Sequence, residues 1–300
     1  MAHYLVTGGA GFIGSHLVDF LIKQGHKVRV IDNLSFGKEK NLNPHCEFIN
    51  ADILDYKNLE KCFDQIDGCF HLAAIASVQY SIANWIESNQ VNLLGTIKVF
   101  KSAATYKTPI VYASSAAVYG NQTNTILSEE LLPNPVSPYA ADKYACELQA
   151  KAFNAVHGLK STGLRFFNVY GPRQSTDSAY SGVISAFYHR IKNNLPIDIY
   201  GDGMQSRDFI HVDDVVRLIS KAMELTTNNY VDVINICTGI GTSINHIAQT
   251  MFKIFGQVKI NYNPARKGEA KISIGSNAKL LNQFKLSPTI ELQNGLQNLD

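Results

Sequence analysis

Three glycines, Gly8-x-x-Gly11-x-x-Gly14, separate a short apolar stretch from a helical one. The apolar stretch is Tyr4-Leu5-Val6-Thr7. The next segment, Ser15–Ile22, repeats its apolar residues at helical spacing. A strand, a glycine turn and a helix in direct succession is the setting of a dinucleotide-binding fingerprint. Gly8 permits the tight turn. Gly11 has no side chain, so a pyrophosphate can approach the backbone where free N–H groups and the helix dipole favour negative charge. Gly14 allows close helix–sheet packing. Phe12 and Ile13, at the start of the helix, belong to the same candidate site. The spacing differs from Gly-x-Gly-x-x-Gly, and glycine turns are common, so the motif needs support from residues further along the chain.

That support is Lys27-Val28-Arg29-Val30-Ile31-Asp32, a second strand ending in an acid. Asp32 falls where a carboxylate accepts hydrogen bonds from an adenosine ribose. A 2′-phosphate there would be repelled. Asn33 and Leu34 come next, with no adjacent arginine to hold a phosphate, so NAD is favoured over NADP. Asp also caps turns; the glycine turn upstream favours the ribose role.

Three hundred residues suit one large domain or two lobes. A net charge of +2 makes no electrostatic case for nucleic acid or a membrane surface. No signal peptide is visible, and no apolar run has the length of a membrane span. The five cysteines, Cys46, Cys62, Cys69, Cys146 and Cys237, form no C-x-x-C pair. They read as reduced thiols of a cytoplasmic protein, with no metal site expected.

Strand and helix patterns alternate through the first half. Strands are expected at Glu47–Asn50, Gly68–Leu72, Pro109–Ala113 and Ser161–Phe167. Helices are expected at Lys57–Phe63, Trp85–Tyr106 and Tyr139–His157. Such alternation predicts an α/β fold, a Rossmann-like doubly wound parallel sheet. Its ligands bind at the carboxyl ends of the strands, which gathers Gly8, Asp32, Asp52, Ala73, Ser114 and Asn168. After Gly171 the rhythm shortens and predicts a smaller mixed α/β substrate-binding lobe. The expected division is 1–168 for the NAD-binding domain and 169–300 for the substrate lobe, with part of 208–236 returning to the first domain.

The chemistry centres on Ser114-Ser115-Ala116-Ala117-Val118-Tyr119-Gly120, after the fifth strand, and on Tyr139 and Lys143. The last two are four residues apart on one helix face. A lysine ammonium beside a phenol favours the phenolate, and a nicotinamide cation adds to the effect. The phenolate can take a proton from an alcohol while hydride leaves for the cofactor. Ser115 would hydrogen-bond the same substrate oxygen. Tyr-x-x-x-Lys alone is a frequent accident; it gains weight from the turn, the acid-ending strand and the serine motif.

With these motifs the chain resembles the extended short-chain dehydrogenase/reductases. Within them it resembles the NAD-dependent nucleotide-sugar epimerases, UDP-glucose and UDP-N-acetylglucosamine 4-epimerases included. The resemblance runs from Tyr4 to about Leu286, through Thr7–Gly14, Asp52-Ile53, His71-Leu72-Ala73-Ala74, Ser114–Gly120, Tyr139 with Lys143, and Arg165–Pro172. It implies that Asp52 and Ile53 flank the adenine, and that Leu72, Ala73 and Ala74 line the dinucleotide. It makes Tyr139 the base, with Lys143 also on the nicotinamide ribose and Ser115 completing the triad. On the substrate side it implies Asn168 on a phosphate, Val183 in the pocket, Tyr200 against the uracil, Arg207 and Arg266 on the diphosphate, and Glu269 on the uridine ribose. Two guanidinium forks suit a diphosphate, although either arginine could equally serve a surface ion pair. Relatives pair the two long helices in a four-helix bundle, which implies a homodimer.

The reaction implied is 4-epimerisation of a UDP-hexose through a transient 4-keto sugar, with hydride returned to the opposite face. Family dehydratases carry an Asp-Glu pair where this chain has Ala116 and Ala117, which argues against elimination. Decarboxylases typically carry a threonine and a nearby glutamate where this chain has Ser115 and Ala116. A UDP-glucuronate 4-epimerase stays open. A catalytically silent NAD-binding sensor would need a broken triad, and all three members are present. Ser273 matches a pocket-wall position that is small where a 2-acetamido group must fit. UDP-GlcNAc and UDP-GalNAc are therefore the expected substrates, with UDP-Glc and UDP-Gal as further candidates.

Overall fold

The computed structural model describes residues 1–122, 126–175, 182–228, 232–265 and 270–299. The chain forms two compact units. The first holds 1–118, 135–165 and 216–234, and the second 119–134, 166–215 and 235–300. Residues 119–134 cluster with the second unit, and 216–234 with the first.

The first unit is built on a seven-stranded sheet of β1 (His3–Thr7), β2 (Lys27–Asp32), β3 (Glu47–Asn50), β4 (Gly68–His71), β5 (Ile110–Ser115), β6 (Ser161–Phe166) and β10 (Val233–Ile236). The order is β10-β6-β5-β4-β1-β2-β3. The pairings of β1 with β2 and β4, of β2 with β3, and of β4 with β5 are parallel. The strand order reverses beside β1, and there the crevice for a ligand opens. The connecting helices are α1 (Phe12–Lys23), α2 (Tyr56–Lys61), α3 (Val78–Ala83), α4 (Trp85–Asn89), α5 (Thr96–Thr105), α6 (Pro138–His157) and α8 (Val212–Asn228).

Sequence periodicity joins Trp85–Tyr106 into one helix. The structure places a π-helical turn, Gln90–Gly95, between α4 and α5. Such turns shift the helix face by one residue and recur at functional sites. Leu5, Ile31, Leu59, Phe63, Phe100 and Ile110 pack the core between sheet and helices. α6 starts at Ser137, whose hydroxyl accepts from the Ala140 N–H, and carries Pro138 in its first turn. It stops at Gly158 in a left-handed conformation, φ +67°.

The second unit contains β7 (Asn168–Tyr170), β8 (Ile197–Tyr200), β9 (Ser206–His211), β11 (Gly241–Ser243), β12 (Ile260–Asn263) and β13 (Ile272–Ser273). Its helices are α7 (Val183–Lys192), α9 (Ile244–Phe255), α10 (Ala278–Phe284) and α11 (Leu292–Gln297). β9 is the organising strand, bonded to β7, β11 and β13, while β8 pairs with β12. Ile184, Phe187, Ile199, Ile247 and Met251 form its core.

Candidate active site

At the crevice beside β1 lies a cavity of about 260 Å³. Gly8, Gly11, Asp32, Asn33, Asp52, Ile53, Leu72, Ala73 and Ala74 all line it. Ser35, Phe36, Ile75, Glu87, Gln90 and Val91 line it too, and sequence motifs do not single these out. Glu87, Gln90 and Val91 stand at i, i+3 and i+4, so they share one helix face. Phe12, Ile13 and Gly14 form the first turn of α1 and are not among the lining residues.

The backbone of this cavity leaves little room for other residues. Gly8 has φ +74°, and a Cβ there would lie 2.6 Å from the Ala73 nitrogen. A Cβ on Gly14 would overlap the Gly8 carbonyl oxygen. On Gly11 it would meet only that oxygen, at 3.2 Å, so glycine there keeps the cavity side open. Gly11 caps α1 without a side-chain hydrogen bond, which leaves the first helical N–H groups suited to a phosphate. Asp32 Oδ2 accepts from the Ala10 N–H at 3.0 Å, and Oδ1 from the Leu34 N–H at 2.8 Å. These bonds fix the carboxylate at the cavity edge. Asn33 Nδ2 donates to Asp52 Oδ2 at 2.9 Å, joining the ends of β2 and β3. An open glycine turn, an uncapped helix start and a fixed carboxylate fit an adenine dinucleotide, NAD.

In the same unit, Tyr139 and Lys143 lie on α6 and Ser115 ends β5. Lys143 is buried; its Nζ donates to the Ala113 carbonyl at 3.0 Å and sits 5.9 Å from the centroid of the Tyr139 ring. The ammonium is thereby pinned between strand and phenol. The Tyr139 N–H donates to Ser81 Oγ on α3 at 3.2 Å. Ser115 Oγ accepts from the Ala117 N–H at 3.2 Å.

One helical turn beyond Lys143, buried Glu147 accepts two bonds from Arg165 on β6, at 2.9 and 2.7 Å. It also accepts from Ser114 Oγ at 2.6 Å. Tyr139, Lys143 and Glu147 stand at i, i+4 and i+8, so they share a helix face. The ion pair therefore ties the face bearing the phenol and ammonium to β6, and the Ser114 bond ties it to the end of β5, which bears Ser115. Beside Lys143 in sequence, Asp142 accepts from Asn89 Nδ2 at 2.7 Å. Burial raises its carboxyl above the ordinary range, while the Asn89 bond and the Lys143 charge oppose the rise. Glu147 carries a sequence signal, an acid on the helix face that bears Tyr139 and Lys143, and its partner lies 18 residues on, in the strand that follows.

The second unit gathers other candidates by register alone. Ser273 of β13 pairs with Arg207 of β9, and Asn168 of β7 pairs with Phe209, two residues beyond Arg207. Paired residues in parallel strands, and residues two apart along a strand, share a face. Asn168, Arg207 and Ser273 therefore emerge on one side. On the other side, buried Asp208 accepts from Thr238 N–H and Oγ1 at 2.8 and 2.7 Å. It also accepts from the N–H groups of Gly239 and Gly275, at 2.9 and 3.3 Å. Tyr200 ends β8, opposite Asn263, and Val183 opens α7. Arg266 and Glu269 lie outside the described residues. Among the described residues, no helix is long and apolar enough to cross a membrane and no His/Cys/Asp/Glu group could hold a metal ion.

Comparison with known proteins adds independent findings. The model of the NAD dependent epimerase/dehydratase family matches residues 4–237. The UDP-N-acetylglucosamine 4-epimerase of Methanobrevibacter ruminantium, solved in complex with UDP-N-acetylmuramic acid, is 38% identical with a TM-score of 0.94, covering 99% of this chain and 96% of that one. The UDP-glucose 4-epimerase of Thermotoga maritima, solved with UDP-glucose, is 37% identical with a TM-score of 0.93, covering 98% and 96%. A UDP-N-acetyl-alpha-D-glucosaminuronate decarboxylase of Bacillus cytotoxicus is 36% identical over 83% of this chain and 79% of its own length.

Proposed function

This chain belongs to the NAD dependent epimerase/dehydratase family, and from that premise we propose that it is a UDP-sugar 4-epimerase acting on UDP-GlcNAc and UDP-GalNAc, with UDP-Glc and UDP-Gal as further substrates. The observation that carries the reading is the Lys143 ammonium held against both the end of β5 and the Tyr139 ring. That arrangement suits reversible proton transfer at a sugar hydroxyl. NAD, when bound, supplies hydride acceptance and return at C4, so the carbinol passes through a ketone and re-forms with inverted configuration.

The chain's own groups do the rest. Tyr139, as phenolate, takes the 4-hydroxyl proton and later gives it back. Lys143 holds its ammonium beside the phenol ring. Ser115 donates a hydrogen bond to the same oxygen. Ala116 and Ala117 come directly after it in a 3₁₀ turn and offer no acid for elimination. They offer no glutamate for a decarboxylase either, which favours epimerisation over the chemistry named for the Bacillus relative.

In the second unit, Asn168 and Arg207 are the phosphate ligands, with Tyr200 the uracil platform and Val183 and Ser273 pocket walls. Arg266 and Glu269 complete this set as proposals from sequence. The small Ser273 leaves room for a 2-acetamido group. Product analysis by NMR over a panel of UDP-sugars tests the assignment. Tyr139→Phe should lower kcat by about 10²–10⁴-fold. Ser273→Tyr should abolish turnover of the N-acetyl sugars and spare UDP-glucose; equal loss on both overturns the N-acetyl reading.

The same proposal extends to assembly and compartment. Trp85 and Ile86 on α4, Leu94 in the π turn, and Leu148 and Val156 on α6 are exposed apolar residues on helices that pack together. A second copy of the chain is their proposed cover, and light scattering of Leu148→Glu/Val156→Glu should then report a monomer. All five cysteines are free thiols, which suits the reducing cytoplasm.

A further inference from the structure

His71 ends β4 directly opposite Thr7 of β1. It is buried and is not itself among the residues that line the cavity. Its Nδ1 lies 2.7 Å from Thr7 Oγ1, and its Nε2 lies 2.8 Å from Thr96 Oγ1. The direction of each bond comes from counting hydrogens. A hydroxyl has one hydrogen, and that of Thr96 goes to the Asn92 carbonyl at 2.6 Å. Thr96 Oγ1 must therefore accept from the imidazole, which puts the ring hydrogen on Nε2.

Burial, reinforced by the nearby Lys143 charge, pushes the imidazole down to about 3, so the ring is neutral at physiological pH. Nδ1 is then bare and accepts the hydroxyl hydrogen of Thr7. Thr7 Oγ1 in turn accepts from the Ala73 N–H at 3.2 Å. A single directed series results: Ala73 N–H to Thr7, Thr7 to His71, His71 to Thr96, Thr96 to Asn92. The Asn92 carbonyl at its end also accepts from Cys146 Sγ at 3.2 Å.

The ends of this series matter for the site. Thr7 precedes Gly8 of the glycine turn. Ala73 lines the cavity. Asn92 sits in the π turn just after Gln90 and Val91, which also line it. Asn92 clamps the main chain of another lining residue, Ile75, accepting its N–H at 2.8 Å and donating to its carbonyl at 3.2 Å. We propose that His71 is the positioning residue of the dinucleotide cavity. As the Nε2–H tautomer it locks the glycine turn, the segment after β4 and the π turn into one register, so that NAD binds to preformed walls. No other tautomer satisfies all five groups, and the histidine of His71-Leu72-Ala73-Ala74 is explained by bonding on both ring nitrogens. The proposal rests on NAD occupying this cavity.

The test is spectroscopic first. In a long-range proton–nitrogen spectrum of the wild-type protein, the His71 ring is assigned by its loss in His71→Phe. It should show a protonated Nε2 and a bare Nδ1, unchanged between pH 5 and 8. A protonated Nδ1 with a bare Nε2, or a cationic ring, overturns the proposal. The second measurement is NAD affinity of cofactor-stripped protein by calorimetry. Thr96→Val removes the acceptor while keeping the shape, and should raise the dissociation constant about tenfold, or ~1.4 kcal/mol. His71→Phe should raise it as much, and the double variant little further, because both cut one series. Unchanged affinity in both single variants overturns the proposal. Asp32→Ala is measured alongside. If it retains full affinity while the wild-type tautomer is as stated, the location of NAD in this cavity is what fails.

Discussion

In the first unit the buried carboxylate of Glu147 faces a guanidinium; in the second the buried carboxylate of Asp208 faces only amide N–H groups and a threonine hydroxyl. Both do similar mechanical work. Glu147 ties the helix carrying Tyr139 and Lys143 to the end of β5. Asp208 ties strand β9, which carries Arg207, to the loops at 238–239 and 275. The means differ, and so does the consequence. The pair in the first unit is neutral as a whole and geometrically exacting, because two parallel bonds fix the angle of a planar fork. The acid in the second unit has hydrogen-bond donors but, among the described residues, no counterion beside it, and burial raises its carboxyl above the ordinary range. The hydrogen bonds to it only partly offset that rise. The unit carrying Tyr139 and Lys143 has an ion pair that fails if either partner is lost. The unit proposed to hold the nucleotide spreads the same task over four hydrogen bonds.

The sharpest way to break this comparison is Glu147→Gln, which leaves the Arg165 charge buried without its counterion. The expected loss is about 3–5 kcal/mol in urea unfolding. Replacing both partners, as Glu147→Met/Arg165→Met, should recover most of that loss, because the desolvation cost of the pair disappears with it. A double variant as unstable as the single one would show that the pair contributes beyond charge balance.

Gly8→Ala comes next. It combines a left-handed φ with overlap on the Ala73 main chain, for a loss of about 2–4 kcal/mol. Its counterpart in the second unit is Gly201→Ala at φ +70°, where the new methyl would meet nothing closer than Ala265 Cβ at 3.4 Å. Strain alone should then cost about 1–2 kcal/mol. Equal losses at the two glycines would remove the claim that tight packing distinguishes the turn at the cavity.

Asp208→Asn keeps the shape and should cost about 1–3 kcal/mol, less than Glu147→Gln. The smallest effect is its dependence on pH. Because the native carboxyl is raised, the folded protein takes up the proton before the unfolded chain does. The Asp208 contribution therefore grows as pH falls through the raised value, and declines again toward neutrality. The stability gap between wild type and Asp208→Asn should be wider at pH 4.5 than at pH 7. A gap that narrows on acidification contradicts the raised value.

Much of the first unit was legible in the chain because its signals are local. Tyr4–Thr7, the glycine spacing and Asp32 lie within one strand–helix–strand run, and the fold places Gly8, Gly11 and Asp32 around one cavity. The same local logic puts Tyr139 and Lys143 on one face of α6. The second unit was harder to read. Its strands are short, and the shared face of Asn168, Arg207 and Ser273 depends on register between segments up to about a hundred residues apart.

By itself the sequence determined which residues could turn, cap and alternate, because glycine conformations, helical spacing and strand-ending acids act over a few neighbouring residues. Only the tertiary structure decided that Glu147 would meet Arg165 and that His71 would bridge Thr7 and Thr96. Those outcomes are choices of partner for buried polar groups and helix faces. The need for a partner arises from desolvation and can be anticipated from composition and pattern. Which partner meets it is fixed only when distant segments are packed together.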